Sequence, residues 1–344
     1  MAQILVLGGT AFLGRETARQ ALARGHQVTC LARGSAPAPD GVRFVVGDRD
    51  EEDGLAAVAG QRWDSIIDVT LHPVQARRAV RDLRTRHWVF VSTANVYEPG
   101  SGLDESAPRL APLVGDRMDG MEDYGPAKVA CEDIYRDSGV PAVLVRAGLI
   151  GGPGDESGRS GYWPWRFANP VGGDGDGGGV EGGGSDEGAE VVAPDDPDHP
   201  IALVDVRDLA AWLVHAAEER LAGPFNATGP ATTLGTVLTA AARAAGNRAR
   251  PRPVPPAVLA ELGIAAWAGP ASLPLWIDDP ELRGFATLDT ARAQAAGLVT
   301  RPLLDTFRDV LVWEGSRHTP RRCGLDDEDE RRVLRATQGH APRP

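Results

Sequence analysis

The sequence predicts an α/β fold: a doubly wound parallel sheet joined to a smaller, mainly helical C-terminal module. Three observations carry this expectation. The apolar run Gln3-Ile4-Leu5-Val6-Leu7 has the character of a strand buried on both faces. It leads through Gly8-Gly9-Thr10-Ala11-Phe12-Leu13-Gly14 into a helical pattern closed at Gly25. Extended and helical patterns then alternate as far as residue 150, which is how a sheet covered by helices on both faces is written.

Each element follows in order. Strand, glycine turn and helix form the context of a Rossmann-type dinucleotide loop. Bare backbone at Gly8 and Gly14 approaches a pyrophosphate, and Thr10, Ala11, Phe12 and Leu13 lead its N–H groups into the helix N-terminus. The second strand, 26–31, ends at Ala32-Arg33. A carboxylate there would hold a ribose 2′-hydroxyl, whereas Arg33 suits a 2′-phosphate, so NADP is the preferred cofactor and NAD the alternative. The third strand, 42–46, ends in Gly47-Asp48-Arg49. Asp48 can accept from an adenine amino group there or cap a helix, and Arg49 is grouped with the cofactor-binding residues. Strands at 65–70 and 87–93 bring Thr70, His72, Thr93 and Asn95 to the carboxyl edge, where ligands of such sheets bind. His72 reads as a pocket-lining or capping residue.

The most informative stretch is Asp123-Tyr124-Gly125-Pro126-Ala127-Lys128. Lys128 is the only lysine in a chain whose other basic residues are all arginine, so a lysine is required at this position. The i, i+4 spacing puts Tyr124 and Lys128 on one helix face, and Pro126 fits the first turn. A cation beside the phenol favours phenolate and draws tyrosine toward general acid/base duty. The helix is expected to stop at Ser138-Gly139-Val140-Pro141, before a sixth strand at 142–146.

Beyond it come Gly151-Gly152-Pro153-Gly154 and the aromatic patch Tyr162-Trp163-Pro164-Trp165, whose Tyr162 and Trp163 are candidates, with Asn95, for lining a substrate pocket. Residues 172–188 are dense in Gly, Asp and Glu and are expected to be disordered. The resulting plan is a dinucleotide-binding domain at 1–168, to which 200–230 returns, a Gly/Asp-rich disordered insertion at 169–199, and a substrate module with a terminal helix at 231–344.

Composition bounds the function. The formal charge of −12 argues against a nucleic-acid surface. Nine carboxylates fall within 171–200, and without them the balance is 36 − 39 = −3. Cys30, Cys131 and Cys323 are too widely spaced for a disulfide framework or a metal site. No apolar run reaches the length of a membrane span, and the first strand begins by residue 3, so a cytoplasmic protein is expected.

With the glycine turn, Thr93 and Tyr124-x-x-x-Lys128 in hand, the chain resembles the extended short-chain dehydrogenase/reductase superfamily, the branch of NAD-dependent epimerase/dehydratase proteins. Ala11 stands where that branch usually has its middle glycine. The resemblance implies hydride transfer at nicotinamide C4, with Tyr124 exchanging the substrate proton, Thr93 bonding the same oxygen, and Lys128 holding the nicotinamide ribose. It also implies a homodimer. The dehydratases carry an Asp-Glu pair where this chain has Ala94-Asn95, and the sugar-nucleotide epimerases an asparagine where it has Ala147-Gly148-Leu149. A reductase or dehydrogenase acting on a small carbonyl or hydroxyl substrate is therefore the first expectation. A sugar-nucleotide epimerase with retained NAD is the alternative, and a non-catalytic nucleotide- or RNA-binding relative is the third reading.

Overall fold

Ile4 and Val6 face one side of the first strand and Leu5 and Leu7 the other, and all four are buried, so this strand needs cover on both sides. The protein is described by a computed structural model covering residues 1–100, 102–171 and 188–338. In chain order the elements are β1 (Gln3–Leu7), α1 (Phe12–Ala23), β2 (Gln27–Ala32), β3 (Arg43–Val46), α2 (Ala56–Ala59), β4 (Arg62–Trp63), β5 (Ser65–Asp68), α3 (Pro73–Asp82), β6 (Arg84–Thr85), β7 (Trp88–Thr93) and α4 (Tyr124–Arg136). There follow β8 (Ala142–Ala147), β9 (Leu149–Gly151), α5 (Tyr162–Ala168), β10 (Ala189–Pro194), β11 (Pro200–Ile201), β12 (Leu203–Asp205), α6 (Val206–Glu218) and β13 (Gly223–Ala227).

Seven strands form one parallel sheet in the order β13-β8-β7-β5-β1-β2-β3. The strand order reverses at β1, which is where such a sheet opens a crevice at its carboxyl edge. On one face Ile4, Val6, Val89, Val91 and Val143 pack with Ala18 and Ala21 of α1 and Leu209 and Leu213 of α6. On the other, Leu5, Leu7, Ile66, Phe90 and Leu144 pack with Ala76 and Ala79 of α3 and Cys131 and Tyr135 of α4. The doubly wound Rossmann-type sheet is thus present, together with a more helical C-terminal part.

The chain divides into two units. The first comprises Met1–Ile150, Val204–Pro230 and Gly284–Thr300, and the second Gly151–Leu203, Ala231–Arg283 and Arg301–Pro344. This redraws the expected plan in three places. Residues 151–168 belong to the second unit. Gly284–Thr300 returns to the first, because Ala293 and Leu298 enter the core beside α6. Within the expected insertion at 169–199, residues 189–194 are β10, paired in parallel with the strand Ala249–Val254 and buried at Val191, Val192 and Ala193. Residues 172–187, expected to be disordered, lie outside the described residues. Among the described residues no helix is long and apolar enough to cross a membrane.

Candidate active site

The glycine turn is shaped by close approach. Gly8 has φ +92°, a left-handed conformation that glycine adopts without strain. A Cβ on Gly9 would lie 2.4 Å from Cys30 Sγ, and one on Gly14 would lie 2.2 Å from the Gly8 carbonyl oxygen. Helix α1 therefore starts directly over the turn. Ala11, the departure from the family pattern, is the residue before this helix, with φ −93° and ψ 167°, a conformation open to any residue. Its side chain provides no cap, so the N–H groups of the first turn are left for an external acceptor. The turn fits a dinucleotide pyrophosphate.

Around it the expected contacts differ in how free they are. Arg33 is exposed just past the end of β2. Asp48 accepts from the Asp50 N–H at 2.9 Å in a tight turn. Arg49 is largely buried and committed elsewhere. It donates to both oxygens of Asp68, at 2.6 and 2.7 Å, and to the Gln75 carbonyl at 3.1 Å. Burial alone would push the Arg49 pKa down, but the charge and hydrogen bonds of Asp68 more than offset this and the net shift is upward. Asp68, at the end of β5, also accepts from the Thr70 N–H at 2.8 Å and from the Tyr135 hydroxyl. Burial, reinforced by the Asp68 charge, holds that phenol well above its usual pKa.

Lys128 lies one helical turn into α4 and is 2% exposed. Its ammonium donates to the Thr70 carbonyl at 2.6 Å and the Val91 carbonyl at 2.7 Å, and sits 4.8 Å from the centre of the Phe90 ring. The sole lysine thereby joins the carboxyl ends of β5 and β7, with one N–H left for a further acceptor. A guanidinium has neither the compactness nor the flexible stem for this arrangement. Thr70 is fixed in turn, its hydroxyl donating to Gln75 Oε1 at 2.6 Å.

Tyr124 opens α4 and is half-buried. Its neighbour Gly125 explains how the helix start reaches Thr93. A Cβ on Gly125 would lie 2.3 Å from the Asn95 carbonyl oxygen, so α4 begins in contact with the 3-10 turn Ala94–Val96 that follows β7. The Thr93 hydroxyl caps that turn, accepting from the Asn95 N–H at 3.3 Å. Asn95 itself is exposed. His72 precedes α3 without capping it, and its Nδ1 accepts from the Met118 N–H at 3.4 Å.

Two expected pocket residues lie elsewhere. Tyr162 and Trp163 are 1% and 0% exposed inside the second unit. The Tyr162 hydroxyl donates to Glu330 at 3.3 Å, and the Trp163 indole N–H to the Pro274 carbonyl at 2.8 Å. They are packing residues in this conformation, because their polar atoms are satisfied and no surface is left to a ligand.

One network was missed from the sequence. Glu132, fully buried on α4, accepts from Ser92 Oγ at 2.6 Å and from Arg146 at 3.0 and 2.9 Å, and also from Arg109 at 3.1 Å. Arg146 continues to the Tyr97 hydroxyl at 2.8 Å, which donates to Asn226 at 2.7 Å. Ser92 stands immediately before Thr93 and Tyr97 immediately after its turn, so the network brackets Thr93 on both sides. The available signal was Arg146 closing an otherwise apolar strand, where a buried charge needs a partner.

The comparisons with known proteins bear on this geometry. Residues 4–75 match the model of the NAD dependent epimerase/dehydratase family. A curated relative, the 3-diazoavenalumate denitrifying reductase of a Streptomyces species, is 34% identical over 110 residues, 32% of this chain and 34% of that protein. The chain thus matches about a third of that relative's length. Among solved structures, Bordetella bronchiseptica WbmH with NAD+ is similar at a TM-score of 0.65 and 17% identity, covering 93% of this chain and 100% of that one. UDP-glucose 4-epimerase of Thermus thermophilus with NAD gives 0.62 and 19%, over 92% and 100%. UDP-N-acetylglucosamine 4-epimerase of Bacillus cereus gives 0.60 and 16%, over 93% and 99%. At such identities these likenesses show the fold alone. Two of the three structures hold NAD and two are named as sugar-nucleotide epimerases.

Proposed function

We propose that this protein is a member of the NAD dependent epimerase/dehydratase family, an NAD(P)-dependent enzyme acting at a carbon that carries a hydroxyl or carbonyl group, and that sugar-nucleotide epimerisation on retained NAD is its first activity to test. The observation that carries the reading is Lys128. A buried ammonium held by the Thr70 and Val91 carbonyls, one turn after Tyr124, suits the task of orienting a nicotinamide ribose beneath a tyrosine acid/base. Bound NAD(P) would supply the hydride acceptor and donor. Tyr124 would take the proton from the substrate hydroxyl and return it, and Thr93 would hydrogen-bond the same oxygen. The uncapped start of α1 and the Gly8, Gly9 and Gly14 backbone would receive the pyrophosphate, with Asp48 toward the adenine.

A second reading, an NADP-dependent reductase, is favoured by exposed Arg33 in place of a carboxylate after β2 and by the name of the Streptomyces relative. One experiment separates the two. The protein is purified, denatured, and its released nucleotide identified, and UDP-sugars are then offered to the native enzyme. Stoichiometric NAD with interconversion of a UDP-sugar supports epimerisation. Exchangeable NADPH, no retained NAD and no UDP-sugar turnover would replace it with the reductase. In either case Tyr124→Phe is expected to lower turnover about 100- to 10,000-fold while leaving cofactor binding within about threefold. Undiminished turnover in that variant would remove Tyr124 from the chemistry.

A further inference from the structure

The amino-terminal edge of the parallel sheet carries a feature that the proposed chemistry does not use. Strands β4 and β6 run directly into β5 and β7 and pair with each other in parallel, with Arg62 opposite Arg84 and Trp63 opposite Thr85. Trp63 and Thr85 turn inward and are buried, so Arg62 and Arg84 both turn outward, and both are exposed. Like charges directly opposite on paired strands repel. Two residues further along, the same ribbon solves the problem in the ordinary way, with Arg86 placed 3.5 Å from Asp64. Nearby arginines are likewise engaged: Arg81 and Arg78 with Glu52, and Arg43 with Gln61. Arg62 and Arg84 have no hydrogen-bond or acidic partner among the described residues. Between them opens a cleft of about 730 Å³, floored by Leu83, Val140 and Ala59.

We propose that Arg62 and Arg84 form a binding site for a small phosphate-bearing molecule, its tetrahedral oxyanion head shared by the two guanidinium groups and its body lying over the apolar floor. Guanidinium forks match phosphate oxygens in pairs, and an anion between the two charges removes their mutual repulsion. The cleft is larger than a bare phosphate requires, which leaves room for an organic body. It lies at the edge of the sheet opposite the strand ends that lead to Thr70 and Thr93. Occupancy there is therefore separate from the cofactor turn, and the inference stands whether or not the proposed chemistry is right.

The test is calorimetric titration of the full chain, with excess NADPH present throughout to fill the glycine turn, with inorganic phosphate at ionic strength held constant with sodium chloride. One saturable site is expected, with a Kd on the order of 1 mM. The Arg62→Ala/Arg84→Ala double variant should lose it, and Arg19→Ala, which removes an exposed arginine of α1, should keep it. Arg84→Glu gives Arg62 an acidic cross-strand partner, so this variant should melt at a higher temperature than the parent and no longer bind phosphate. Acetate should bind at least about tenfold more weakly than phosphate, because it lacks the second charge and the tetrahedral oxygens. Absence of saturable heat, its survival in the double-alanine variant, its loss in Arg19→Ala, or equal binding of acetate would each overturn the proposal.

Discussion

Glu132 of the first unit and Glu330 of the second are buried in opposite ways. Glu132 is surrounded by donors: Ser92, Nε and Nη2 of Arg146, and Arg109. Asp68 is gripped in the same manner by Arg49, the Thr70 N–H and the Tyr135 hydroxyl. In the second unit Glu330, on the helix Asp327–Ala336, has the Val192 N–H at 2.6 Å and the Tyr162 hydroxyl at 3.3 Å. Its arginine, Arg166, stays 3.8 Å away, with Nε unpartnered, and spends its hydrogen bonds on Asp327 and the Leu325 carbonyl. Burial therefore dominates at Glu330, only partly countered by Arg166, and its pKa is pushed up to about 7. The lesson is that full burial alone does not decide what a carboxylate does. Bidentate arginine contact at hydrogen-bond distance makes it a fixed strut, and an arginine one ångström further off leaves it able to titrate.

The largest effect that would break this comparison is expected at Glu132. Glu132→Gln keeps the shape but removes the charge that faces buried Arg146. Breaking one side of such a pair costs about 3–5 kcal/mol. Denaturant unfolding followed at the transition of the first unit measures it. A loss below about 1 kcal/mol would mean that Tyr97 and the Glu105 carbonyl, which Arg146 also contacts, hold the guanidinium without Glu132.

Glu330 should behave differently because its effect depends on pH. Its folded pKa of about 7 lies above the ordinary glutamate value of 4.5. The folded state thus binds the extra proton between those values. Stability is fully present below about pH 4.5 and is lost as pH rises through about 7. The loss is on the order of 3 kcal/mol, from a shift of two to three units at 1.36 kcal/mol each. Glu330→Gln should accordingly be close to neutral at pH 4.5 and stabilising by up to that amount at pH 8. Denaturation of parent and variant at the two values isolates this one group. Equal differences at both would show that Glu330 does not titrate across the window.

How much of this could be read from the residues depends on how local the cause is. The glycine turn is in part a local object, since Gly8 takes a left-handed φ and Gly14 meets the Gly8 carbonyl within one strand-turn-helix, whereas Gly9 is demanded by Cys30 of the neighbouring strand; the sheet follows from alternating patterns. Lys128 stood out by its uniqueness, although its two carbonyl partners come from 37 and 58 residues away and nothing nearby in the chain announces them. Tyr162 and Trp163 were misplaced for the converse reason. An aromatic pair looks the same in sequence whether it lines a pocket or fills a core, and only contacts with Pro274 and Glu330 decide it. Likewise 189–194 follows a stretch rich in Gly, Asp and Glu, and its strand character depends on a partner at 249–254. Arg33 is a case between the two. Its position after β2 was legible, and Arg33→Ala is expected to weaken NADPH about tenfold while sparing NADH, which paired fluorescence titrations would detect. Equal weakening of both would count against a 2′-phosphate contact.

The smallest change is the most discriminating for the titrating carboxylate. Tyr162→Phe deletes the hydroxyl that donates to Glu330 at 3.3 Å and leaves the T-shaped packing on Trp163, whose ring centre is 4.9 Å away. That bond favours the charged form of Glu330, so its loss should raise the Glu330 pKa further. At pH 4.5 the carboxyl is protonated in both proteins and the cost should be slight. At pH 8 the charge has one donor fewer, and the cost should reach about 0.5–1.5 kcal/mol, the net value of one hydrogen bond. The midpoint of the pH-dependent stability loss should move upward with it. A midpoint unchanged from the parent would assign the restraint on Glu330 to the Val192 N–H and the Arg166 charge alone, and the contrast with Glu132 would then rest entirely on how closely an arginine approaches.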